Sequence, residues 1–148
     1  MSLESWAKNG WLRPHQTNRQ QIADLLAIVE RDLADARNTS VSADWQFGIA
    51  YNAALKLCTI LLYASGYRPE KNLAHYRTLQ ALPLILGTDR DDDADYLDTC
   101  RAKRNTAEYD VAGTVSQSEA DELREFAASL QTEVIEWLRS KHSLLFKT

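Results

Sequence analysis

Ile22, Leu25, Leu26, Val29 and Leu33 recur at intervals of three and four, with Asp24, Glu30, Arg31 and Asp35 between them. That spacing predicts an amphipathic helix over residues 18–37, which Asn18 can cap. The next stripe is wider. Phe47, Ala50, Tyr51, Ala54, Leu57, Cys58, Leu61 and Leu62 share a face, and Leu55 and Ile60 carry apolar surface around the helix. A helix over residues 45–65 follows, with Asp44 as its N-cap and Gly66 as its stop. Because so much of its girth is apolar, it belongs at the centre of a bundle. Tyr76, Leu79, Leu82 and Leu86 predict a third helix over residues 73–86, which Pro83 kinks or shortens. A fourth follows the acidic run TDRDDDADY, whose Asp91, Asp92 and Asp93 suit a helix N-terminus, and continues to about Asp110. A fifth opens on the capping box of Ser116 and Glu119 and carries Leu123, Phe126, Ala127, Leu130, Val134, Trp137 and Leu138 on one face to about Lys141.

No segment alternates like a strand for more than a few residues. Five amphipathic helices joined by short loops predict an all-α fold, a four- to five-helix up-and-down bundle. Residues 1–17 read as an irregular N-terminal arm broken by Gly10 and Pro14. Trp6 and Trp11 are costly to leave in water, so the arm is expected to dock on the body or on a partner.

Composition narrows the picture. With 148 residues, 45% of them hydrophobic, the chain suits one domain with a real core. Five Gly and three Pro leave little material for loops and turns. A net charge of −4 disfavours a globally basic nucleic-acid binder and leaves room only for a local basic patch. Cys58 and Cys100 fall within apolar helical patterns and read as reduced, buried thiols. His15, His75 and His142 lack ligand spacing, so no metal site is expected, and no motif requires a cofactor. The acidic run lacks the Gly and distant Glu of a calcium loop. The N-terminus does not read as a signal peptide, and IAYNAALKLCTILLYA is too short for a membrane span and carries Lys56; a cytoplasmic protein that contacts no membrane is expected.

The stretch CRAKRNTAEYD, residues 100–110, carries the candidate chemistry. Leu97, Cys100 and Ala107 are the apolar stripe of the fourth helix, and Arg104 stands four residues after Cys100. Its guanidinium therefore leaves from the edge of the buried stripe, with Glu108 one turn on to meet it. Two readings follow. In one, Arg104 and Glu108 are a structural pair on a solvated helix end, worth about 0.3–0.5 kcal/mol. In the other, Arg101, Lys103 and Arg104 bind a phosphate, with Asn105 and Tyr109 as hydrogen-bonding groups. Asn52 and Lys56 interrupt the apolar second helix and could line the same groove, and His75 at the start of the third could stand beside it.

RNTAEYD, preceded by CRAKR and followed by VAG, resembles the signature of the HEPN-domain family: an Arg, usually an Asn next, and a His after four to six residues. DWQFGIAYNAALKLCTILLYASGYRP resembles the family's second helix, and AHYRTLQAL its third. The resemblance covers residues 22–138. It implies a HEPN-like bundle that commonly forms a homodimer, in which paired Arg and His residues build a metal-independent ribonuclease cleft. Many family members pair with a small nucleotidyltransferase as toxin and antitoxin, and others bind RNA or nucleotides without cutting. Tyr109 occupies the His position here. Its ordinary pKa of about 10, against about 6.5 for His, sets roughly 5 kcal/mol against a phenolate base at neutral pH. The expectation is an RNA- or nucleotide-phosphate-binding protein with Arg104, Asn105, Glu108 and Tyr109 at the centre. A weak ribonuclease using Glu108 or His75 as base, and a non-catalytic interaction module partnering a nucleotidyltransferase, are the alternatives.

Overall fold

The computed structural model describes residues 1–146. Four long helices make the body: α2 (Arg19–Asp35), α3 (Ala43–Ala64), α6 (Asp91–Asn105) and α7 (Gln117–Lys141). Two short ones, α4 (Ala74–Gln80) and α5 (Leu82–Leu86), close one side, and α1 (Leu3–Lys8) lies in the arm. The fold is an all-α bundle, as the apolar periodicity predicts. α3 is its axis and packs against α2, α4, α6 and α7. Ala50, Ala53, Ala54, Leu57, Ile60 and Leu61 are all fully buried, so the helix is covered on most of its girth.

Local chemistry sets the ends. Asn18 caps α2, its Oδ1 accepting from the Gln21 N–H at 2.8 Å. Ser116 and Glu119 form the capping box of α7. Gly66 takes φ +96° after α3, where an L side chain would be strained. Pro83 acts as its chemistry dictates. Lacking an N–H and crowding the preceding turn, it ends α4 and opens α5, so the single helix predicted over residues 73–86 is two. The fourth helix begins within the acidic run, at Asp91, and its first turn carries Asp91, Asp92 and Asp93.

Three expectations are corrected. Asp44 does not cap α3; Ser42 does, its hydroxyl accepting from the Trp45 N–H at 3.1 Å. Asp44 instead accepts from the N–H groups of Gly113 (2.6 Å) and Val115 (3.1 Å), which pins the connection between α6 and α7. The arm is not irregular. After α1 it forms β1 (Leu12–Pro14), antiparallel to β2 (Tyr67–Pro69), with Leu12 opposite Pro69 and Pro14 opposite Tyr67. Three-residue strands that each end in proline leave no periodic signal. Finally, α3 is 22 residues long and meets the length and composition for crossing a membrane; it is mostly buried inside the bundle, as the core helix of the fold.

Trp6 docks on the body, 6% exposed, against Leu12, Leu62 and Ala81. The Arg77 guanidinium lies 3.7 Å from the centre of the Trp11 ring. Cys58 and Cys100 are free and buried. Burial raises the Cys58 thiol to about 12 and Cys100 to about 11.

Candidate functional site

One stripe of α3 is only partly covered by its neighbours: Trp45, which is exposed, and Gly48, Asn52 and Lys56, which are half-buried, spaced three, four and four residues apart. Arg104 on α6 reaches this stripe. Two adjoining hollows share Trp45, Gly48, Arg104 and Glu108. The larger, about 250 Å³, extends to Ser42 and Asp44. The smaller, about 130 Å³, extends to Asp32, Ile49 and Asn52.

The helix changes pitch at the site. α6 ends at Asn105 and continues as one π-helical turn, Thr106–Asp110, closed by a bond from the Val111 N–H to the Thr106 carbonyl at 2.9 Å. Single π turns often mark functional positions in helices. Glu108 and Tyr109 both stand on this turn. The Glu108 Oε2 lies 2.8 Å from the Arg104 Nε, while the Arg104 Nη1 donates to the Asn105 Oδ1 at 3.1 Å. The Nε–H itself is not aligned for a hydrogen bond, so its contact with Glu108 is an ion pair without direction. The Arg104 side chain keeps 25% of its surface exposed. The side chain is thus paired and lines the cleft.

Aromatic rings surround this guanidinium. The Tyr51 ring centre is 5.6 Å from the Arg104 Cζ and the Tyr109 ring centre 5.9 Å, both within cation–π range. Tyr109 is 70% exposed and Trp45 is 55% exposed, unusual for large aromatic groups. Gly48 forms the floor between Trp45 and Asn52. A Cβ built there would meet only the Trp45 Cε3 at 3.8 Å and the Arg104 Cγ at 4.0 Å, so packing does not demand glycine. A glycine inside a helix costs roughly 0.5–1 kcal/mol against alanine. What it leaves is an open floor.

The remaining predicted residues fall into three places. Arg101 and Lys56 lie close enough to His75, beside the Tyr51 ring, for their charges to act on it. His75 stacks obliquely on that ring at 6.4 Å, and Arg101 pairs with Asp98 at 2.8 Å over the edge of Tyr76. Burial, then the charges of Arg104, Lys56 and Arg101, hold the His75 pKa below its ordinary value, which favours the neutral ring. Tyr51 is pushed upward by burial, against the opposite pull of Arg104 and Arg101. Lys103 is not brought to the cleft: it turns toward α7 and bonds Glu119. Asn105 holds the guanidinium from behind and does not line the cleft. Among the described residues, no three His, Cys, Asp or Glu side chains converge to hold a metal ion.

Trp45, Gly48 and Asp32 complete the site and are not evident from the charged segment alone. A mid-helix glycine on the one polar stripe of an otherwise apolar helix, one turn from a tryptophan, is the signal that points to the first two. Comparison of the chain with protein-family models, curated proteins and solved structures found no match.

Proposed function

We propose that this bundle binds RNA or nucleotides, seating a phosphate against Arg104 and a base against the Trp45 indole. The observation that carries the reading is the Arg104 side chain, one quarter exposed, lining a cleft walled by an exposed tryptophan. A guanidinium matches the planar oxygen edge of a phosphate, and a base stacked on an aromatic side chain contributes about 1–3 kcal/mol. Glu108 holds the place that an anion would take, so a phosphate displaces a carboxylate that is already only half-buried. Tyr109, on the rim, adds a hydroxyl donor or a second stacking face.

The experiment is fluorescence anisotropy with 5′-labelled hexanucleotide RNA. Arg104→Ala weakens binding by at least about 10-fold, as expected for a lost charged contact. Glu108→Gln strengthens it, because the guanidinium is released. If Arg104→Ala binds as tightly as the parent while circular dichroism shows an intact fold, the reading fails.

A HEPN-like kinship is part of this proposal. It is supported by the position of RNTAEYD at the end of a helix packed on the helix that carries DWQFGIAYNAA. A homodimer, a toxin–antitoxin role and a nucleotidyltransferase partner stand on the sequence resemblance alone. A second reading, slow metal-independent cleavage, is favoured by one observation: His75 packs on the same Tyr51 ring as Arg104. Cleavage of mixed RNA in chelator, lost in both His75→Ala and Arg104→Ala, separates it from binding alone.

A further inference from the structure

Asp32 sits on the inward side of α2, 5% exposed, where a carboxylate is costly unless its oxygens are bonded. Both are. The Oδ1 accepts from the Arg31 Nε at 3.0 Å, and the Oδ2 accepts from the Asn52 Nδ2 at 2.6 Å. Arg31 is the next residue in the chain and largely in solvent, so it balances the charge. The second bond crosses to α3 and does something else: it fixes an amide. A carboxylate only accepts, so the NH2 group of Asn52 faces Asp32 and its Oδ1 turns away. Among the described residues no group donates to that Oδ1, and Asn52 lines the smaller hollow with Trp45, Arg104 and Glu108.

On the reading that this cleft holds RNA, we propose that Asn52, aimed by Asp32, selects the base, its Oδ1 accepting from the exocyclic amino group of an adenine or cytosine stacked on Trp45. The surroundings favour the same choice. Of the other polar side chains here, Asp32 and Glu108 only accept, while the donors are the Arg104 guanidinium, which the phosphate takes, and the Trp45 indole N–H, which lies in the plane of the stacking ring. Uracil presents carbonyl oxygens on both sides of its one ring N–H, so it meets acceptors with acceptors. Gly48 leaves the floor between the indole and the amide free of side chain, so a planar ring can span them.

Asn52 contacts the base and Asp32 acts through it as a positioning residue. The test is anisotropy of the full chain with 5′-labelled rA6 and rU6. The parent binds rA6 about 3- to 10-fold more tightly than rU6, the worth of one neutral hydrogen bond. Asn52→Leu brings that ratio close to one by weakening rA6 more than rU6; Asn52→Ala gives the same result if the leucine variant does not fold. Asp32→Asn lowers the ratio too, because its side chain can donate as well as accept and no longer fixes the amide. A merely structural role for either residue would weaken both RNAs together and leave the ratio intact. Equal affinities in the parent, a preference for rU6, or a ratio that survives Asn52→Leu overturns the assignment and leaves phosphate binding at Arg104 standing. Failure of the parent to bind either RNA removes the RNA reading itself, and this assignment with it.

Discussion

Tyr51 lies mid-way along α3, 1% exposed, with the Arg104 guanidinium 5.6 Å and the His75 ring 6.4 Å from its ring centre. Its hydroxyl is buried and has no hydrogen-bond partner. The ring contributes cation–π contact and packing; the oxygen contributes only a desolvated polar atom, which costs about 1–3 kcal/mol when unpaired. Tyr51→Phe keeps the first and removes the second. The expected outcome is a melting temperature unchanged or raised by about 2–4 °C, for a gain of about 1 kcal/mol, by circular dichroism. A clear fall would show that the hydroxyl is bonded. The same residue illustrates what the sequence can convey. Its place in the apolar stripe marks it as core, and the offset of Arg104 from Leu97 and Cys100 marks an edge position. That the two meet, and that Asp32 and Trp45 arrive from α2 and the far end of α3, depends on how three helices cross, which no local spacing encodes.

Helix ends were legible where a side chain caps its own helix, as at Asn18 and in the Ser116–Glu119 box, because the bond lies within three residues. The role of Asp44 is not legible locally, because its partners, Gly113 and Val115, lie some seventy residues on. Glu119 belongs to both classes. It completes the capping box of α7 and also bonds Lys103 on α6, joining two elements. The bond from Lys103, then those from Ser116, lower its carboxyl to about 2. The folded-state value lies below the unfolded one, so this stability is present above the unfolded pKa near 4.5 and is lost as pH falls toward 2. Glu119 is half-exposed, and solvent screening limits the pair to about 1 kcal/mol or less. Urea midpoints measured between pH 5 and pH 2 should therefore decline more steeply in the parent than in Glu119→Gln, which is less stable at pH 5 and converges with the parent near pH 2. Parallel curves would show that Glu119 adds no pH-dependent stability.

At the scale of the molecule, the arm is part of the fold. α1 and β1 cover a second apolar cluster in which Trp6 and Leu12 meet Leu62 and Ala81, so the arm continues the bundle's core over the ends of α3 and α5. Trp6 stands edge-on to Trp11 at 5.9 Å, and Arg77 closes the stack from α4. β1 adds main-chain bonds to β2, extended by the Glu70 N–H to the Trp11 carbonyl at 2.9 Å and the His15 N–H to the Gly66 carbonyl at 2.9 Å. The Trp6 indole is thereby committed to the chain's own core. Truncating the indole opens a cavity that the short elements around it can only partly close, and such losses cost about 3–5 kcal/mol. For a domain of this size that corresponds to a fall of about 6–20 °C in melting temperature for Trp6→Ala. Because the arm seals α3 and α5 directly, the loss should appear in one cooperative transition, with helical signal and tryptophan fluorescence melting together. A separate early fluorescence transition, with the helical melt unmoved, would mean that the arm is an independent flap and the bundle is complete without it.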